Sequence, residues 1–346
     1  MNSSAIDFGW SLKRALYKCM LYPRKTKKSA LCFTWLLLFI GISLSACQDQ
    51  KPISGNGLEH YTIIDSINTV KDVQILIDSI GGKSFKASRI QDLQFYHHGG
   101  EDCVNIADSL GIDQSFYKTD FDQNGFLDLL VIGMGQQFGV IAVMSYPNDS
   151  LELHSLTKNG AFQDCVFPMV TDQGYINLYY QQYHPDNSEQ LGLSNVKLIY
   201  QYGGFIEYNA KPTGYSIRKI EFRTDYCAEL CPVFSLSLEK ETKSMFRAVA
   251  YNFKDEDDST VFQMLLPAEI WEEYSNLLNY MDFPSLQDSY SVDWTDDQEG
   301  LLTIYYGENK IKTISDYGLQ GTYGLKLLYD RLFNLREHHN WIKEYE

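Results

Sequence analysis

The sequence predicts an α+β protein of two domains, each mainly antiparallel β-sheet with a few packed helices. Three observations predict it. Ile220 and Phe222 alternate with Lys219, Glu221 and Arg223, and Phe234, Leu236 and Leu238 alternate with Ser235, Ser237 and Glu239, which is the period of half-buried strands. Tyrosine is abundant, at 25 residues, and its ring suits a half-exposed strand face. Other segments repeat apolar residues at helical spacing, and the stretch 209–214, with Pro212 and Gly214, divides the elements into two groups.

The chain opens on a leader. Arg24, Lys25, Lys27 and Lys28 form a basic region, residues 30–46 are uncharged and dominated by large apolar side chains, and small residues stand directly before Cys47. That is the layout of a secretory signal. The apolar run is at the short end of the roughly 17–25 residues that span a bilayer, which argues against an uncleaved anchor. Residues 1–19 exceed what such a basic region needs, which makes Met20 an alternative start. Leu44, Ser45, Ala46 and Cys47 resemble the lipobox of bacterial lipoproteins. The resemblance implies cleavage after residue 46, lipidation of Cys47 and anchoring in the cell envelope, where more than one acyl chain makes attachment stable. Gln48 is not the aspartate that favours inner-membrane retention in enterobacteria, so the destination expected by analogy is the outer membrane. Residues 47–57, rich in Gly, Ser and polar side chains, read as a flexible tether reaching up to about 30 Å.

Removing the leader's seven basic and one acidic residues takes the formal charge from −16 to −22. Nucleic-acid phosphates repel such a surface, which excludes nucleic acid as a partner. The expected partners are the membrane, through lipidated Cys47, and an envelope protein or a glycan, since exposed tyrosines stack on sugars. The abundance of aliphatic and aromatic residues predicts real cores rather than disorder.

The first domain, residues 58–210, begins with a helix. Thr69 and Asp72 make its cap, Val70, Val73, Ile77 and Ile80 recur at helical spacing, and Gly81 and Gly82 end it. A shorter helix follows over 101–110, stopped by Gly111. Between them His97 and His98 read as a surface turn, because adjacent residues on a strand point in different directions and no other ligand pattern accompanies them. Residues 129–132 predict a buried strand and 140–146 another. The glycine-rich stretch 133–139 between them is therefore a hairpin connection rather than a dinucleotide loop, which would lead into a helix. Further strands are expected at 175–180 and 196–200.

The stretch 120–128 carries the most chemistry. Asp120, Asp122, Asn124 and Asp128 place oxygen side chains at positions 1, 3, 5 and 9, Gly125 permits the sharp turn, and Phe126 offers its carbonyl. A hard cation such as Ca²⁺ collects ligands in this way from one short loop. Val131 stands where an EF-hand requires a bidentate Glu, and a strand follows instead of a helix, so this is no EF-hand. The loop resembles the Asp-x-Asp-x-Asn-Gly-x-x-Asp-Leu loop of FG-GAP and related β-propeller repeats, which implies calcium beside a strand; the motif occurs once, so a propeller is not implied. The competing reading is a turn in which these side chains bond only their own backbone.

The second domain, residues 211–346, contains the two alternating strands above. Further strands are predicted at 244–252, 261–266, 301–306 and 310–315, with the acidic run 255–258 as a solvated hairpin tip. A helix from Pro267 carries Ile270, Trp271, Tyr274, Leu277, Leu278 and Met281 on one face, and a last helix turns Leu325, Leu328, Tyr329, Leu332 and Phe333 inward. Cys227 and Cys231, followed by Pro232, stand between the first two strands. This Cys-x-x-x-Cys-Pro-x-Phe-x-Leu pattern, with Asp316, Tyr317, Gly318 and Gly321 before the last helix, resembles an uncharacterised domain family of Bacteroidota lipoproteins over residues 216–341. The family implies location and fold but no activity.

Three readings of Cys227 and Cys231 stay open: a structural disulfide, a copper site similar to that of Sco-type proteins, and a thiol–disulfide redox pair. Cys103 and Cys165 form a second bridge or stay buried and free. No recognisable hydrolase elbow, zinc-protease helix or phosphate-binding loop occurs. The expectation is a lipid-anchored binding or structural module with a Ca²⁺-stabilised loop, and the alternative is a periplasmic thiol-redox or copper-handling protein.

Overall fold

A computed structural model describes residues 61–81, 89–91, 93, 101–134, 138–158, 163–183, 190–253, 260–338 and 340–344. The leader with Cys47, the tether, the His97 and His98 turn and the acidic run 255–258 lie outside them. Gly57–Glu346 form one compact unit, whose described residues include three mostly antiparallel sheets and four α-helices.

Strands β1 (Phe116–Thr119), β2 (Asp128–Met134), β3 (Phe138–Tyr146) and β4 (Ser150–Ser155) form the first sheet in that order, all antiparallel. Helix α1 (Val70–Ile80) covers one face. Its Thr69 hydroxyl accepts the Asp72 N–H and the Asp72 carboxylate accepts the Thr69 N–H, the expected reciprocal cap. Val73, Leu76 and Ile77 of α1 pack on Leu129, Val131 and Val143, while Leu130, Val140, Ala142 and Met144 point to the opposite face. The continuous apolar run of β2 follows from this: covered on both sides, it needs no polar alternation.

The second sheet, β5 (Gln163–Val170), β6 (Ile176–Tyr183), β7 (Gln190–Gln201) and β8 (Gly204–Glu207), supplies that opposite layer through Val166, Ile176, Leu178, Leu198 and Phe205. Helix α2 (Glu101–Ser109) is bound to β5 by the disulfide Cys103–Cys165 and packs Ala107 near Ile132 and Phe167. Strands β2 and β3 pair antiparallel up to Met134 and Phe138, so a strand rather than a helix follows the glycine-rich stretch, whose residues 135–137 lie outside the described ones.

The third sheet has eight strands: β9 (Ile217–Thr224), β10 (Val233–Glu239), β11 (Lys243–Ala250), β12 (Val261–Leu265), β13 (Ser289–Ser291), β14 (Glu299–Tyr306), β15 (Lys310–Tyr317) and β16 (Ile342–Lys343). Their order is β13-β15-β14-β9-β10-β11-β12-β16, and only β13 and β15 pair in parallel. Helices α3 (Ala268–Tyr280) and α4 (Tyr323–Arg336) bury one face of it. Phe222 stacks on Tyr329 of α4 at 5.4 Å between centroids and meets Phe234 edge-on at 5.9 Å. The other face is mixed: Lys219 pairs with Glu221 there at 2.7 Å and Tyr305 donates its hydroxyl to Glu221 at 2.8 Å, while Met245, Val249 and Leu265 are exposed on it.

The expected division near residue 210 falls between β8 and β9, but the two sides share a helix. Tyr323, the first residue of α4, is buried in the core between the first two sheets and donates its hydroxyl to the Leu156 carbonyl at 2.6 Å. Lys158 Nζ donates to the Gly321 carbonyl and lies 4.8 Å over the Tyr323 ring. Among the described residues, no helix is long and apolar enough to cross a membrane.

Candidate functional site

Register places the acidic loop. Thr119 of β1 lies opposite Asp128 of β2, so residues 120–127 are the connection of an antiparallel pair. Gly125 sits at φ +89° and Gln123 at +59°, the left-handed conformations that coil the loop onto itself. Asp120 accepts the N–H groups of Asn124 and Gly125 at 3.0 and 2.8 Å. Asp122 accepts the Asn124 N–H at 3.2 Å and its side-chain Nδ2 at 3.0 Å, and Asn124 Oδ1 accepts the Phe126 N–H at 2.8 Å. The loop thus forms the self-bonded turn that was the competing reading, and the acidic side chains converge as well.

One oxygen from each of Asp120, Asp122 and Asp128 lies within 4.8 Å of the others. Asp128 is fully buried, its Oδ2 accepting the Phe121 N–H and its Oδ1 the Ser145 N–H, both at 2.8 Å. Burial, opposed by those two N–H groups and aided by the charges of Asp122 and Asp120, pushes its carboxyl up to about 7. Burial also raises Asp122, with the adjoining Asp120 adding to the effect. Three carboxylates held this close resist simultaneous ionisation unless a cation compensates them. Backbone N–H groups occupy one lone pair on each of the Asp128 oxygens and leave the other, so the hydrogen bonds orient the donors without consuming them. Hard oxygen donors gathered on one turn fit Ca²⁺. Phe126 is half-buried at the exit of the loop.

Sequence reasoning missed Ser145. Besides its N–H to Asp128, its carbonyl accepts Asn124 Nδ2 at 2.8 Å, so β3 fastens the loop through one residue. No local signal marks a serine 17 positions beyond Asp128 as its anchor; only the pairing of β2 with β3 brings it there.

The four cysteines among the described residues form two bridges, Cys103–Cys165 and Cys227–Cys231. The first is buried and spans a sequence separation of 62; the second spans 4 and is half-exposed. In the chain-entropy account the long bridge restricts the unfolded chain by about 4 kcal/mol and the short one by about 2. With Cys227 and Cys231 bonded to each other, neither offers a thiolate to a copper ion. Cys47 lies outside the described residues.

A family model described as a domain of unknown function, DUF6438, matches residues 218–336, about a third of the chain. The match runs from β9 to the end of α4 and includes the cysteine loop, the same region as the resemblance read from the motif. No curated protein and no solved structure matches the chain.

Proposed function

We propose that the chain is a cell-envelope protein anchored by lipid on Cys47 and directed to the outer membrane, in which Ca²⁺ held by Asp120, Asp122, Asn124, Phe126 and Asp128 stabilises a binding or structural module. The convergence of three carboxylates around a buried Asp128 carries the calcium part of this reading, and the lipobox resemblance ending at Cys47 supports the anchor. When bound, the ion supplies positive charge only. The chain's own residues do the rest: β2 and β3 position the donors, Ser145 fixes the loop to the sheet, and Gly125 allows the turn. Its partner in the envelope is a protein or a glycan.

The test is elemental analysis by mass spectrometry of the lipid-free chain from Gln48 onward, dialysed into metal-free buffer and then supplied with calcium. Roughly one calcium per chain is expected, and Asp122→Ala should lose both the ion and the rise in melting temperature that calcium produces. Equal melting temperatures with calcium and with chelator would overturn the proposal.

A further inference from the structure

The two disulfides differ in everything that governs access. Cys103 and Cys165 are 4% and 3% exposed, under α2 and β5. Cys227 and Cys231 are half-exposed at one end of the third sheet, in a loop whose Tyr226 and Leu230 are 57% and 76% exposed. Trp294, also exposed, belongs to the neighbouring loop, which accepts the Ala228 N–H on the Asp296 carbonyl at 3.2 Å. The reachable sulfur–sulfur bond thus shares its loop with two exposed apolar side chains, and the loop hydrogen-bonded to it carries a third.

The two sulfurs are not equivalent. Glu229 presents both its N–H, at 3.2 Å, and its carbonyl, at 3.3 Å, to Cys227 Sγ, whereas Cys231 Sγ has no such partner in the described hydrogen bonds. A Cys227 sulfur released from the bridge can accept that N–H as a thiolate and donate to that carbonyl once protonated, partners that Cys231 lacks, so Cys227 is the better leaving group. The base of the loop is held independently of the bridge. The Pro232 carbonyl accepts Thr224 Oγ1 and Gln298 Nε2, both at 2.8 Å, and Gln298 also reaches the Asp225 carbonyl at 2.8 Å. Thr224 and Gln298 are buried, so the frame persists when the bridge opens.

We propose that Cys227 and Cys231 are a redox-active pair that oxidises the dithiol of a partner protein. A partner thiolate attacks Cys231 Sγ; a sulfur–sulfur bond to the partner forms, the Cys227–Cys231 bond breaks, and its electron pair leaves on Cys227, facing the Glu229 N–H. The partner's second thiolate then attacks its own sulfur in the mixed disulfide and releases Cys231. Two electrons and two protons pass to the cysteine pair, and the partner leaves as a disulfide. The rim of Tyr226, Leu230 and Trp294 suits a dithiol carried on an apolar segment, while Asp225, Glu229, Asp296 and Asp297 disfavour an anionic one. The step requires neither calcium nor the lipid anchor, so it stands or falls apart from the proposed function.

The test treats the oxidised chain from Gln48 onward with glutathione or with a reduced two-cysteine peptide under native conditions. Acid quenching, alkylation and peptide mass mapping then locate each sulfur. The Cys227–Cys231 bridge should open at least tenfold faster than Cys103–Cys165, with glutathione on Cys231 and the alkyl label on Cys227. The peptide should be converted to its disulfide one for one. Glu229→Pro, which lacks the N–H, should open about tenfold slower than Glu229→Ala, which keeps the N–H and equally lacks the carboxylate. Opening no faster than the buried bridge, or glutathione found on Cys227, would refute the assignment.

Discussion

The carboxylate of Glu207, at the end of β8, accepts the backbone N–H groups of Tyr323 and Gly324 at 2.6 and 3.0 Å, so a strand of the second sheet caps the last helix of the molecule. Thr322 completes the cap by accepting the Leu325 N–H at 3.1 Å. A negative charge at this end also opposes the helix dipole. Glu207→Ala removes both acceptors and is expected to lower stability by about 1–3 kcal/mol in urea unfolding. Glu207→Gln, which keeps one acceptor, should lose less.

The acidic loop makes stability depend on pH in a direction opposite to that of a salt-bridged carboxylate. Burial, together with the charges of Asp122 and Asp120, raises the folded Asp128 carboxyl to about 7, above the value of about 4 for an unfolded chain. The folded state then holds its proton more tightly, and the stability this group contributes is complete below pH 4 and lost as pH rises through 7. In metal-free buffer, melting temperature should therefore fall between pH 4 and 8, and calcium should restore it at the upper end. Asp128→Asn should flatten that slope while lowering stability at every pH, because its Nδ2 would face the N–H of Phe121 or of Ser145.

The bridges should respond unequally to removal. Replacing Cys103 and Cys165 together by Ala is expected to lower stability by about 2–4 kcal/mol, since the pair joins α2 to the sandwich across 62 positions. The same double replacement at Cys227 and Cys231 should lower it by about 2 kcal/mol or less. Paired denaturation curves decide the order.

Gly318 cannot carry a side chain. It sits at φ +89°, and a Cβ there would lie 2.5 Å from Val292 Cγ2. Gly318→Ala combines an unfavourable backbone conformation with a clash against a branched, buried neighbour, and should lower stability by more than about 1 kcal/mol. A melting temperature equal to the parent's would show that Val292 moves aside without loss.

Much of this architecture was legible in the sequence because its signals are local. The cap of Thr69 and Asp72, the alternation in β9 and β10 and the inward faces of α3 and α4 all sit where periodicity and capping place them. The strands that escaped notice have weaker signals. β5 contains Pro168, which sequence reading counts against a strand, but β5 lies at the edge of its sheet, where a missing N–H is tolerated. Cys165, at φ +50°, adds an irregularity in its pairing with β6. β1 and β8 have four residues each, too few to display a period. At the site, the acidic residues were visible from their spacing. Ser145 and the contrast between the two disulfides depend on tertiary pairing and burial, which spacing does not encode.

The helix cap by Glu207 also bears on modularity. The region matched by the family begins inside β9 and ends with α4, so it excludes the carboxylate that caps that helix, the Lys158 that anchors the preceding turn and the β16 edge of the sheet. In this chain the matched stretch is therefore not a freely transplantable cassette. A fusion or deletion drawn at its limits would leave α4 with unpaired first amides and Tyr323 stripped of the apolar layer that covers it, whereas a boundary drawn before α1 keeps both sides of the shared helix together.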